Sequence, residues 1–121
     1  MSDIRPYTIF CDLDGTLVKH NAPNVAADPS LKLELLSGTI QKLLEWEKKG
    51  YNIILVTGRK ESMRSSTETQ LRNAGIFYDQ LIMGIGGGQR IIINDKKFGQ
   101  TEETCSAISI SRDSGIANLL I

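Results

Sequence analysis

At 121 residues, 40% hydrophobic and 23% charged, the chain is an ordinary globular mixture that suits one compact domain spanning 1–121. Lys plus Arg equals Asp plus Glu at 14 each, and this zero net charge argues against nucleic acid and membrane surfaces as partners. No apolar run approaches the roughly 20 residues that span a bilayer, and Met1 to Pro6 lack a signal-peptide core, so a cytoplasmic protein is expected.

In chain order, Tyr7 to Cys11 is a short apolar, β-branched and aromatic run that predicts a buried strand ending in the acidic turn Asp12-Leu13-Asp14-Gly15-Thr16. Leu17 to Ser30, with Pro23 and Pro29, reads as loop, with room for a small hairpin. Thr39 to Lys49 carries Ile40, Leu43, Leu44 and Trp46 near helical spacing. Thr39 or Ser37 would cap this helix, and Gly50 suits the position past its end. Tyr51 to Val56 predicts a second buried strand, followed by Thr57-Gly58-Arg59. Lys60 to Ala74 reads as a polar helix with a narrow apolar stripe, stopped by Gly75. Phe77 to Met83 is a third strand candidate. After a glycine-rich loop at 84–88, Arg90-Ile91-Ile92-Ile93-Asn94-Asp95 is a fourth, and Ala107 to Ile110 a fifth.

Continuously apolar strands alternating with helices imply an α/β fold, a Rossmann-like three-layer sandwich with a mostly parallel sheet. Ligands of such sheets bind outside the carboxyl ends of the strands. Asp12, Thr57 and Asp95 each follow an apolar run, so this rule gathers three distant segments at one edge. Asp12 and Asp14 stand one residue apart, and two close anions need a cation or a shared proton. A hard divalent ion is the simplest answer. Cys11 and Cys105 form no CxxC pair, so neither a disulfide nor a zinc site is expected. His20 reads as a solvated loop histidine, and Arg112 as either a surface residue or one at the site edge.

Phe10-Cys11-Asp12-Leu13-Asp14-Gly15-Thr16-Leu17 resembles the first signature of the haloacid dehalogenase superfamily. Leu55-Val56-Thr57-Gly58-Arg59 resembles its second, and Ile91-Ile92-Ile93-Asn94-Asp95 its acidic last motif. The resemblance implies a phosphatase in which Asp12 is the nucleophile and Asp14 the acid–base residue. Asp12, the Asp14 carbonyl and Asp95 would hold magnesium. Thr57 would bond the transferring phosphoryl group, with Leu13, Gly15, Thr16, Gly58 and Arg59 completing the phosphate surroundings. The phosphate-neutralising cation of the family falls to Arg90, by chain order, or to Lys60. Asp14 favours hydrolysis or transfer over a pump-like module, in which that position resembles Thr. With little room for an insert after either motif, no cap domain is expected, and the substrate expected is a small phosphorylated sugar or sugar acid. The rival readings are a non-catalytic binding or regulatory module and a phosphotransferase or mutase. A homo-oligomer stays open.

Overall fold

The computed structural model describes residues 5–121. It is an α/β fold built on three parallel strands: β1 (Thr8–Asp12), β2 (Asn52–Val56) and β3 (Gln80–Ile82), in the order β1-β2-β3. Helix α1 (Pro23–Ala26) lies in the loop after β1, α2 (Thr39–Lys48) precedes β2, and α3 (Arg64–Ala74) joins β2 to β3 after a 3-10 turn at Glu61–Met63. The register pairs Asp12 with Val56 and Val56 with Ile82, so the three strands end level. That alignment sets the first two motifs side by side.

Strand β2 is the middle strand, and its apolar run is largely buried as such a position requires: Ile53, Leu55 and Val56 are buried and Ile54 half-buried. Against it lies α2, whose Leu43 and Trp46 join Leu13, Leu17, Leu55, Leu71 and Ile116 in one core. The loop after β1 does form a small hairpin-like closure, with Val18 bridged antiparallel to Leu35. Its only helix is the four-residue α1, and the stretch after β2 holds the 3-10 turn and α3.

The structure corrects several expectations. Gly38, not Thr39 or Ser37, is the N-cap of α2, and the Thr39 hydroxyl instead donates to the Leu17 carbonyl at 2.6 Å. The polar helix begins at Arg64 rather than Lys60. Neither the fourth nor the fifth expected strand forms: 90–95 and 107–110 run without regular structure. Ile91 and Ile93 are 74% and 93% exposed, although their run reads as a buried strand. The Arg90 guanidinium Nη1 donates to Asp12 Oδ1 at 3.0 Å, so the N-terminal end of the run lies at the tip of β1. A strand parallel to β1 would bring its other end there, about 16 Å further along an extended chain.

Candidate active site

Asp12 closes β1 with its carboxylate flanked on both oxygens. Oδ1 accepts from Arg90, and Oδ2 accepts from the Thr16 hydroxyl at 3.2 Å. The turn that follows is tight: the Leu13 carbonyl accepts from the amides of Thr16 and Leu17, and Gly15 sits at φ +87°. Leu13 itself points into the core, fully buried. The turn therefore hangs Asp12 and Asp14 over the strand ends while its apolar residue anchors it.

Asp14 meets a different cation. Arg59 Nε and Nη2 donate to its two oxygens at 2.9 and 2.8 Å, a bidentate fork. The Arg59 side chain is only 4% exposed. Its remaining nitrogen, Nη1, donates to Thr67 Oγ1 at 3.1 Å and to Gln70 Oε1 at 2.6 Å. The Gln70 amide in turn donates to the carbonyls of Ala26 and Asp28. One buried chain of hydrogen bonds thus ties Asp14 through Arg59 to α3 and on to the loop after β1.

Thr67 and Gln70 escaped the sequence reading, which sought only apolar residues on α3. Met63, Thr67, Gln70, Leu71 and Ala74 recur at helical spacing, so the two polar residues lie on the buried stripe itself. A polar residue at such a place needs a partner, and that need was the available signal.

Thr57 is buried just past β2, and its hydroxyl accepts from the Arg59 amide at 3.1 Å. Gly58 is exposed, and a Cβ there would come 3.0 Å from the Ile85 carbonyl, so the chain passes close to the glycine-rich loop. Lys60 stands exposed as the N-cap of the 3-10 turn. Of the two cations expected to neutralise phosphate, Arg90 is the one found on Asp12. Asp95 is exposed, and among the described residues no three His, Cys, Asp or Glu stand close enough to hold a metal. The run that carries Asp95 does not pair with β1, and its carboxylate is not clustered with those of Asp12 and Asp14 among the described residues. Asp12 and the Asp14 carbonyl remain as hard oxygen donors of the type magnesium takes, an ion that keeps several waters and uses one or two carboxylates.

Burial and the neighbouring Asp12 charge push the Cys11 thiol up to about 12. Cys11 is a buried free thiol and Cys105 an exposed one. No helix among the described residues is long and apolar enough to cross a membrane.

An Asp-Leu-Asp-Gly-Thr turn and a Thr-Gly-Arg turn at adjacent parallel strand ends mark a domain of the haloacid dehalogenase superfamily. More narrowly, residues 6–91 match the family described as the polynucleotide kinase PNKP phosphatase domain, and the chain belongs to that family. Asp95 and Arg112 lie beyond the matched residues. Among solved structures, the chain is 30% identical, with a TM-score of 0.56, to a chain of the Pnkp1/Rnl/Hen1 complex, covering 71% of this chain and 30% of that one. It is 31% identical, again with a TM-score of 0.56, to a chain of the Pnkp1/Rnl/Hen1 RNA repair complex, covering 70% of this chain and 28% of that one. The chain thus spans less than a third of either. A crystal structure from Vibrio cholerae, 20% identical with a TM-score of 0.51 and covering 73% of this chain and 79% of that one, shares the fold. No curated protein matches the chain.

These relatives overturn the expectation against nucleic acid, and with it the partner expected in its place, a small phosphorylated metabolite. The error is physical. Zero net charge sums over the whole chain, whereas a polyanion responds to the charges at the site. Lys19, Lys60, Arg90 and Arg112 are all exposed.

Proposed function

We propose that the chain hydrolyses terminal phosphate monoesters of nucleic acids through an aspartyl-phosphate on Asp12. The observation that carries this reading is the Asp12 carboxylate at the end of β1 with the Arg90 guanidinium 3.0 Å away, in a domain of the polynucleotide kinase phosphatase family. An Asp12 oxygen bonds to phosphorus as the ester oxygen leaves, and that oxygen takes its proton from Asp14. Water then attacks phosphorus and gives a proton back to Asp14. The bond to Asp12 breaks, releasing inorganic phosphate and restoring both side chains.

Arg90 moves from Asp12 to the phosphoryl oxygens as substrate arrives, and its planar fork suits them. The Gly58 amide and the Thr57 hydroxyl, just past the neighbouring strand end, serve the phosphoryl group from the β2 side. Both Asp14 oxygens accept from Arg59, so Asp14 leaves that fork to give and take the proton. Magnesium, held by Asp12 and the Asp14 carbonyl, would supply further neutralisation of phosphoryl charge.

The test is phosphate release, with magnesium, from an oligoribonucleotide carrying a terminal phosphate and from an aryl phosphate. Both should be hydrolysed, and Asp12→Asn, folded by circular dichroism, should abolish both. Turnover of the aryl ester alone sinks the nucleic-acid reading, and turnover of neither sinks the phosphatase reading. Excess chelator should remove activity and added magnesium restore it; full activity in chelator removes the metal from the proposal.

A further inference from the structure

Arg112 has no role in the chemistry above, yet it lies on the catalytic turn. A Cβ added to Gly15, next to Asp14, would come within 3.2 Å of Arg112 Cγ and 3.8 Å of its Nε. The Arg112 stem is therefore laid along the glycine, and the residue as a whole is exposed.

The backbone around it is fixed. The Asp113 amide donates to the Gly15 carbonyl at 2.8 Å, and the Asp113 carboxylate accepts from the His20 amide at 2.9 Å. Asp113 has φ +63°, the one non-glycine residue with positive φ among those described. Aspartate is among the residues that tolerate that conformation, and here its carboxylate is bonded to a distant part of the chain, the His20 amide. Such backbone persists where its surroundings hold it in place. Downstream, Ile116 is buried and its amide donates to the Ser37 carbonyl at 2.9 Å. Arg112 is thus an exposed cation on a rigid wall beside the turn that carries both catalytic carboxylates. Lys19 and His20, also exposed, stand at the same seam.

We propose that Arg112 is a second phosphate site, binding the phosphodiester next to the terminal phosphate that Asp12 attacks. This deepens the nucleic-acid reading and rests on it. A nucleic-acid end offers anions at successive phosphates, whereas a lone phosphate monoester offers one. A cation set to the side of the reacting centre adds affinity for the first and nothing for the second. Backbone contacts of this kind position a nucleic acid without reading its sequence.

The experiment compares a ten-nucleotide oligoribonucleotide with a terminal phosphate against a nucleoside monophosphate, using the full chain, wild type and Arg112→Ala. The expected result is that the ratio of kcat/KM for oligonucleotide over mononucleotide falls about tenfold, mostly through KM. The slope of log KM against log salt for the oligonucleotide should lose roughly one unit. Arg112→Glu keeps a side chain over Gly15 and reverses the charge, so it should lower the ratio further. Equal losses on both substrates would make Arg112 part of the turn's scaffold and overturn the proposal, as would an unchanged ratio. If the wild type hydrolyses the mononucleotide but not the oligonucleotide, the nucleic-acid reading itself fails and takes the second site with it.

Discussion

Four hydrogen bonds fix the Arg59 guanidinium: two to Asp14 and one each to Thr67 and Gln70. With both Arg59 and Asp14 largely buried, removing one partner leaves the other charge desolvated and unpaired. Arg59→Ala should therefore cost on the order of 3–5 kcal/mol in urea unfolding. Arg59→Lys should recover only part of that, because an ammonium keeps the charge but cannot bridge both carboxylate oxygens. Equal stability of the Lys variant and wild type would show that the fork is not what holds Asp14. The Cys11 thiol gives a second expectation at this scale. Its pKa rises from 9.0 to about 12 on folding, chiefly through burial. The folded chain keeps that proton while the unfolded chain releases it, so unfolding binds fewer protons. Stability should fall as pH rises from about 9 toward 12. Cys11→Ala should flatten that slope in pH-resolved denaturation. At pH 8 a thiol reagent should label Cys105 alone until the chain is unfolded.

Two chain segments far apart in sequence meet where α2 begins. A Cβ on Gly38 would fall 2.4 Å from Ala117 Cα, and one on Gly115 would fall 2.6 Å from the Ser37 carbonyl oxygen. Both glycines have positive φ, +83° and +82°. Gly115→Ala should cost roughly 1–2 kcal/mol for the left-handed backbone and about 1–3 kcal/mol for the overlap. It should also loosen the wall that carries Arg112, seen as faster amide exchange at Asp113 and Ile116. Unchanged exchange and stability would contradict the docking described. Nothing local in the sequence announces this contact, because two backbones passing closely leave no periodic pattern. By contrast, β2 was legible, since Ile53 to Val56 is apolar without interruption and bounded by Gly50 and Gly58. The end of α3 at Gly75 was equally legible. Arg90 to Asp95 misled for the same reason that β2 did not. An apolar run fixes a preference for burial, but only a partner fixes a strand, and here the run pairs with none of the three strands. The catalytic turn could be read from its spacing, whereas the brace behind it, Thr67 and Gln70, required knowing which face of α3 is covered.

Across the whole molecule, the site is assembled from two kinds of support. Asp12, Asp14, Thr57 and Arg59 are held by strand ends that stop level and by a buried network beneath them. Arg90 comes from a segment without regular structure, and its ion pair with Asp12 is 41% and 32% exposed on its two sides. The same kind of contact, guanidinium to carboxylate, therefore does different things at the two places. The exposed pair should contribute at most about 1 kcal/mol to stability, because solvent screens it and ordering two side chains offsets part of the gain. In the transition state, however, the cation faces developing phosphoryl charge, and its loss should cost on the order of 2–4 kcal/mol, roughly 30- to 1000-fold in rate. Arg90→Ala should then fold and melt nearly as wild type while turnover collapses. Lys60→Ala, which removes a cation from the rim, should cost only a few-fold. The metal gives a response of opposite sign. Under the proposed reading Arg90 and magnesium share the Asp12 carboxylate, so Arg90→Ala should lower the magnesium concentration needed for half-saturation in titration calorimetry, by up to about fivefold if the exposed pair is worth 1 kcal/mol. A variant that loses turnover and also needs more magnesium would place Arg90 on the metal's side of the site, and the division of labour argued here would be wrong.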